Sequence, residues 1–172
     1  TIPMIDPTAT FGATGTYANN ISLEVAAPSS ANPSTLNTDA GVIATLTGAI
    51  TTGTGAGVDP NQDLVFGGTG TVILTNAGNS WTGTTTINHG ATLQGSAAAI
   101  SGSAIVNNGE LVYDEAGNSI GVANIPGSGN FHKIGSGSLT LTGGNSWTGT
   151  TTINHGATLQ GSAAAISGSA IV

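Results

Sequence analysis

GNSWTGTTTINHGATLQGSAAAISGSAIV occupies residues 78–106, and the same 29 letters return at residues 144–172, an offset of 66. The likeness extends upstream in weaker form. Gly68-Thr-Gly-Thr-Val-Ile-Leu-Thr75 aligns with Gly135-Ser-Gly-Ser-Leu-Thr-Leu-Thr142, with one extra residue at Asn76-Ala77. Fixed self-similarity at a long period is the mark of a solenoid, in which each unit buries its apolar face on its neighbour. A period of 66 divides into three turns of about 22, a plausible circumference for one coil of a β-helix. Short alternating runs agree: Thr71–Thr75, Thr84–Asn88, Ala91–Gln94, Ala104–Val106, Glu110–Tyr113 and Ser138–Thr142, each bounded by Gly, Asn or Ser. In Leu139-Thr-Leu-Thr142 one apolar side chain points in for each hydroxyl that points out.

The predicted fold is all-β, a parallel β-helix with about three coils per 66-residue repeat. A β-sandwich is the alternative, since some strand spacings also suit hairpins. Ser96-Ala-Ala-Ala-Ile100 is too short for a stable helix and reads as a loop between coils. Residues 1–62 do not show the unit and read as irregular opening coils or a cap. Residues 63–130 form the first complete unit, and 131–172 the second, truncated one.

Composition narrows the function. Half of the 172 residues are Gly, Thr, Ser or Asn, and the only cation among nine charged residues is Lys133, for a net charge of −7. No cationic groove for nucleic acid can be assembled from one lysine, and no apolar run reaches the length of a membrane-spanning helix. Without cysteine there is neither a disulfide framework nor a thiolate metal site.

The run from Lys133 to Gly156, followed by Ala-Thr-Leu159, resembles the passenger-associated β-strand repeat of autotransporters. Lys133, Gly135, Gly137, Leu139, Leu141, Gly143, Asn145, Trp147, Gly149, Thr151, Ile153, Gly156 and Leu159 fill its slots. The earlier unit fills most of them through Gly68, Gly70, Val72, Leu74, Asn79, Trp81, Gly83, Thr85, Ile87, Gly90 and Leu93, with Phe66 in place of the lysine. The resemblance implies a right-handed parallel β-helix on the bacterial cell surface or in the extracellular space.

Candidate sites are few. Glu110, Asp114 and Glu115 are close in sequence, but turn residues in solvent account for them, and no catalytic residue is assigned. Asp59-Pro-Asn61-Gln-Asp63 opens like a calcium loop, yet Leu64 takes the slot that needs Gly. Asp59, Asn61, Asp63, Glu110, Asp114 and Glu115 are therefore weak calcium candidates, and no metal or cofactor is expected. His89 and His155 are repeat equivalents, too far apart across three coils to share an ion. Trp81 and Trp147 read as corner rings covering a sheet end, with sugar stacking as the functional alternative. Ile87, Ile153, Leu139, Leu141, Gly83 and Gly149 read as structural repeat positions. The Thr runs 84–86 and 150–152 recur too rarely for a flat hydroxyl array.

The expected function is a non-enzymatic stalk or fibre segment of a surface adhesin or autotransporter passenger. Its partners would be a host or neighbouring-cell ligand, or further copies stacked end to end. A self-assembling extracellular filament and a glycan-binding or enzymatic β-helix are the alternatives.

Overall fold

The computed structural model describes residues 1–4, 8–26, 33–100, 104–121, 124–166 and 171–172. The chain winds through three faces in strict rotation. Face I begins with β1 (Ile2–Met4), β4 (Ile21–Leu23) and β7 (Ile50–Thr52), continues at Ser80, which bridges Thr51, and resumes with β14 (Ser119–Gly121), β17 (Ser138–Leu141) and β20 (Thr158–Gly161). Face II comprises β2 (Thr8–Phe11), β5 (Ser34–Thr38), β8 (Leu64–Gly68), β10 (Thr85–Ile87) and β12 (Ile105–Asn107). It goes on through the Ala104–Asn124 bridge into β15 (Pro126–Gly127) and β18 (Ser146–Trp147). Face III is one continuous seven-stranded sheet: β3 (Gly15–Tyr17), β6 (Ile43–Leu46), β9 (Thr71–Leu74), β11 (Thr92–Gly95), β13 (Glu110–Asp114), β16 (Asn130–Ile134) and β19 (Thr151–Ile153).

Every pairing between these strands is parallel. Among the described residues the sole antiparallel contact is the isolated bridge Ala26–Val58. This is a parallel β-helix, and the facing antiparallel layers of a sandwich are absent from the described residues. Seven coils at about 4.8 Å stack to a height of roughly 34 Å.

Period-two alternation builds the core. Face III sends Ala44, Val72, Leu93, Leu111, Phe131 and Thr151 inward in one register column. Phe66, Ile87, Leu93, Leu111 and Phe131 are fully buried. The outward partners are mostly hydroxyl and amide side chains, which keep the surface wetted without charge.

Coil length divides the molecule in two. On face I the first turn takes 19 residues, from Ile2 to Ile21, but then Ile21 pairs with Ile50 and Thr35 with Val65, so the next coils take about 29 residues. From there Thr85 pairs with Ile105, Glu110 with Asn130 and Ser138 with Thr158, and a coil takes about 20, with 21 from Leu64 to Thr85 and 18 from Thr92 to Glu110. The surplus lies at the corner from face I to face II, between Leu23 and Ser34 and again between Thr52 and Leu64. Gln62, fully buried, ties this corner together. Its amide donates to the Val25 and Asp59 carbonyls, and its Oε1 accepts from the Val25 N–H.

A 20-residue coil changes the meaning of the 66-residue period. Sixty-six residues are three coils and one further face, so the second copy does not return to the face of the first. β9, Ser80, β10 and β11 occupy faces III, I, II and III, whereas their repeat equivalents β17, β18, β19 and β20 occupy I, II, III and I. The sequence-based figure of about 22 residues per turn, which would have stacked the copies in phase, gives way to 20.

Candidate functional site

Each copy of the repeat is held by the same internal fastening. The side chain of Asn79 reaches across three coils, accepting the Ile50 N–H at 2.8 Å and donating to the Ala99 carbonyl at 2.7 Å. Asn145 does the same between Ile125 (2.9 Å) and Ala165 (2.7 Å). Both asparagines are buried, and a buried amide without partners would cost about 1–3 kcal/mol. Two residues on, the indole N–H of Trp81 donates to Thr85 at 2.9 Å, and that of Trp147 to Thr151 at 3.0 Å. In the turn between them, a Cβ on Gly83 would stand 2.5 Å from the Gln62 carbonyl oxygen, and one on Gly149 2.3 Å from that of Gly129. Only glycine lets this turn lie on the coil below. The N–H that follows is held from that lower coil too, Thr84 by Asp63 at 2.6 Å and Thr150 by Asn130 at 2.9 Å.

Trp81 and Trp147 are 1% and 0% exposed. Both rings are packed inside the coil, and a sealed indole offers no face to a sugar. Trp147 stacks on Phe131 at 4.8 Å, whereas Trp81 meets Phe66 edge-on at 6.5 Å. Ile87, Leu139, Leu141 and Leu93 are core residues, while Ile153 and Leu159 in the last coil are half-buried. The Ser-Ala-Ala-Ala-Ile segment is not a loop outside the coil but its third side. Ala99 and Ile100 donate back to the Ser96 carbonyl, and Ala165 and Ile166 to Ser162, a single helical turn capped by the serine hydroxyl.

The carboxylates separate into three places. Asp59 and Asp63 cap backbone N–H groups at the corner from face I to face II, Asn61 being the residue that donates to Asp59. Glu110 and Asp114 point outward on face III, where Asp114 accepts from Gln94 at 3.2 Å. Glu115 turns inward at the next corner, 3% exposed, accepting the Ala97 N–H and the Ser119 hydroxyl, each at 2.5 Å. Among the described residues no group of three or more His, Cys, Asp or Glu is close enough to hold a metal ion.

Sequence reasoning missed two features. Lys133, the chain's one cation, is wholly buried, and its ammonium donates to the Ile134 and Gly135 carbonyls. Burial lowers its pKa, partly offset by the charges of Glu115 and Asp114. Burial also raises the Tyr113 phenol well above its ordinary range, and the Glu115 charge adds to the effect. The parity of Leu111/Tyr113 and Phe131/Lys133 carries this signal, because residues two apart share a face.

The second feature is an exposed pair. His132 Nε2 lies 2.6 Å from Glu110 Oε2, and Asn130 Nδ2 donates to Glu110 Oε1 at 2.6 Å. Glu110 and His132 are 37% and 32% exposed, so the pair lies at the surface without being free of it. Residues 110 and 132 come together only because 110 and 130 are in register on neighbouring strands.

Against known protein families, residues 67–94 and 131–160 both match the passenger-associated-transport-repeat. Both segments are similar to that repeat. Comparison with curated proteins and with solved structures gives no match. The two passenger repeats cover about a third of the chain and coincide with the fastened segments: the first ends in β11 on face III, the second in β20 on face I. Passenger repeats point to an autotransporter passenger domain and, through that family, to a secreted or cell-surface protein. Among the described residues no helix is long and apolar enough to cross a membrane, which says nothing of a β-barrel.

Proposed function

We propose that this chain is a stalk segment of a bacterial cell-surface passenger, acting by extension and presentation, without turnover. The observation that carries the reading is the 20-residue coil. Its backbone ladder continues through the identical copies, and each copy is locked to the coils above and below by a buried asparagine. Such a shaft lengthens by duplication without any new charge network, because each added unit contacts only its neighbours.

Adding 66-residue units to the chain tests this directly. Each unit should lengthen the particle by about 16 Å along one axis, three and a third coils at roughly 4.8 Å, as read by small-angle X-ray scattering. Growth in girth without growth in length would overturn the stalk. A hydrolase panel tests the non-enzymatic part: turnover that disappears in Glu110→Gln would overturn it.

A further inference from the structure

Glu110 lines two neighbouring clefts on the outside of the shaft. One, of about 300 Å³, runs along the corner from face II to face III, lined by His89, Asn108, Ser128 and Asn130. The other, of about 280 Å³, lies on face III itself, with Val112 and Ile134 among its walls and Thr92, His132 and Asn154 around them. The hydrogen-bonded Glu110–His132 pair joins the two.

Electrostatics excludes one class of ligand. An acidic sugar, a sulfate or a phosphate needs a cation, and the only one in the chain is buried inside the coil. A cationic ligand is poorly served as well, since both oxygens of the one carboxylate between the clefts are engaged by Asn130 and His132. What the groove offers is amide, hydroxyl and imidazole groups beside two aliphatic side chains. Those are complements for a molecule whose hydroxyls donate and accept while its C–H faces pack against apolar surface.

We propose that this groove binds a neutral oligosaccharide, one stretch in each cleft, with the Glu110–His132 pair hydrogen-bonding the sugar hydroxyls between them. The stalk reading does not depend on it: a groove that binds nothing leaves the shaft geometry untouched.

The test uses the whole 172-residue chain with cello-, malto- and mannohexaose as probes, and a sulfated hexasaccharide and a hexalysine peptide as competing chemistries. Isothermal titration should show one neutral hexaose binding, weakened at least tenfold in Glu110→Gln and in His132→Ala. The imidazole resonances of His89 and His132, one from each cleft, should both shift on addition of that sugar to the unmodified chain. This second readout decides the matter even if a variant fails to fold. No binding by any neutral probe would overturn the proposal. So would binding that leaves both histidines and both variants unaffected, or binding of the sulfated sugar or the lysine peptide in preference.

Discussion

Residues 78–106 and 144–172 are the same 29 letters in two surroundings. Their local structures agree closely: an asparagine across three coils, an indole bonded to the threonine four residues on, a glycine turn pressed on the coil below, a capped helical turn. Their settings differ. The first copy runs from face I to face II and III, and Leu93 is fully buried beneath later coils. The second begins one face further round, and Leu159, in the same sequence context, is half-buried. What was duplicated is therefore a chain of corners and faces that docks wherever the winding brings it, not a whole number of turns. Local hydrogen bonding supplies its shape, and the coil beneath supplies its partner.

Substitutions made in parallel in the two copies probe that difference, and urea unfolding followed by circular dichroism reads them. Trp81→Ala and Trp147→Ala should each cost about 3–5 kcal/mol, the range for a sealed large aromatic. A Trp147→Ala cost below about 1 kcal/mol would mean that the second copy is not packed like the first. Leu93→Ala should cost about 2–5 kcal/mol, and Leu159→Ala less than half of that, because Leu93 is fully buried and Leu159 only half-buried. Equal costs would contradict the half-buried setting of Leu159. Asn79→Leu and Asn145→Leu should each cost about 1–3 kcal/mol, since two backbone groups lose their partner in either copy. A neutral result at one position would break the equivalence of the fastenings.

The smallest effect belongs to the column in which neither copy matches the other, Gly95–Tyr113–Lys133–Ile153 on face III. Tyr113 is held protonated by burial, so above its ordinary value of 10.0 the unfolded chain releases a proton that the native chain keeps. Stability should then fall with rising pH by up to about 1.4 kcal/mol per unit, and Tyr113→Phe should abolish that slope. Lys133 works in the opposite sense. Its lowered pKa makes stability rise with pH until about its ordinary value of 10.5, beyond which both states are neutral. Measurements above pH 10.5 isolate the tyrosine. An unchanged slope in Tyr113→Phe at that pH would remove Tyr113 as its source.

Much of the fold is legible in the letters. The exact copy announces stacking, the alternation in Ser138–Leu141 announces an inner and an outer face, and the Gly-Asn punctuation announces corners. The length of a coil is not legible there. It depends on how tightly each corner closes, and a Gly- and Ser-rich stretch such as 135–137 reads the same whether it turns in three residues or six. An error of two residues per coil is enough to move a copy by a whole face. The burial of the tryptophans is hidden for a related reason: Ser and Thr flank them whichever way the ring points. The threonine four residues after each is the one hint of a partner for the indole N–H. The Glu110–His132 groove is invisible until a 20-residue register sets residues 110 and 130 side by side.

From sequence alone come the repeat of an all-β solenoid, the passenger-repeat resemblance and the exclusion of a cationic groove for nucleic acid, because periodicity, motif and the count of cations are properties of the letters themselves. The face each copy occupies, the sealed indoles, the buried lysine and the joined clefts were decided only by tertiary structure. They depend on what lies one coil above or below, and that distance is measured in corner geometry, not in residue types.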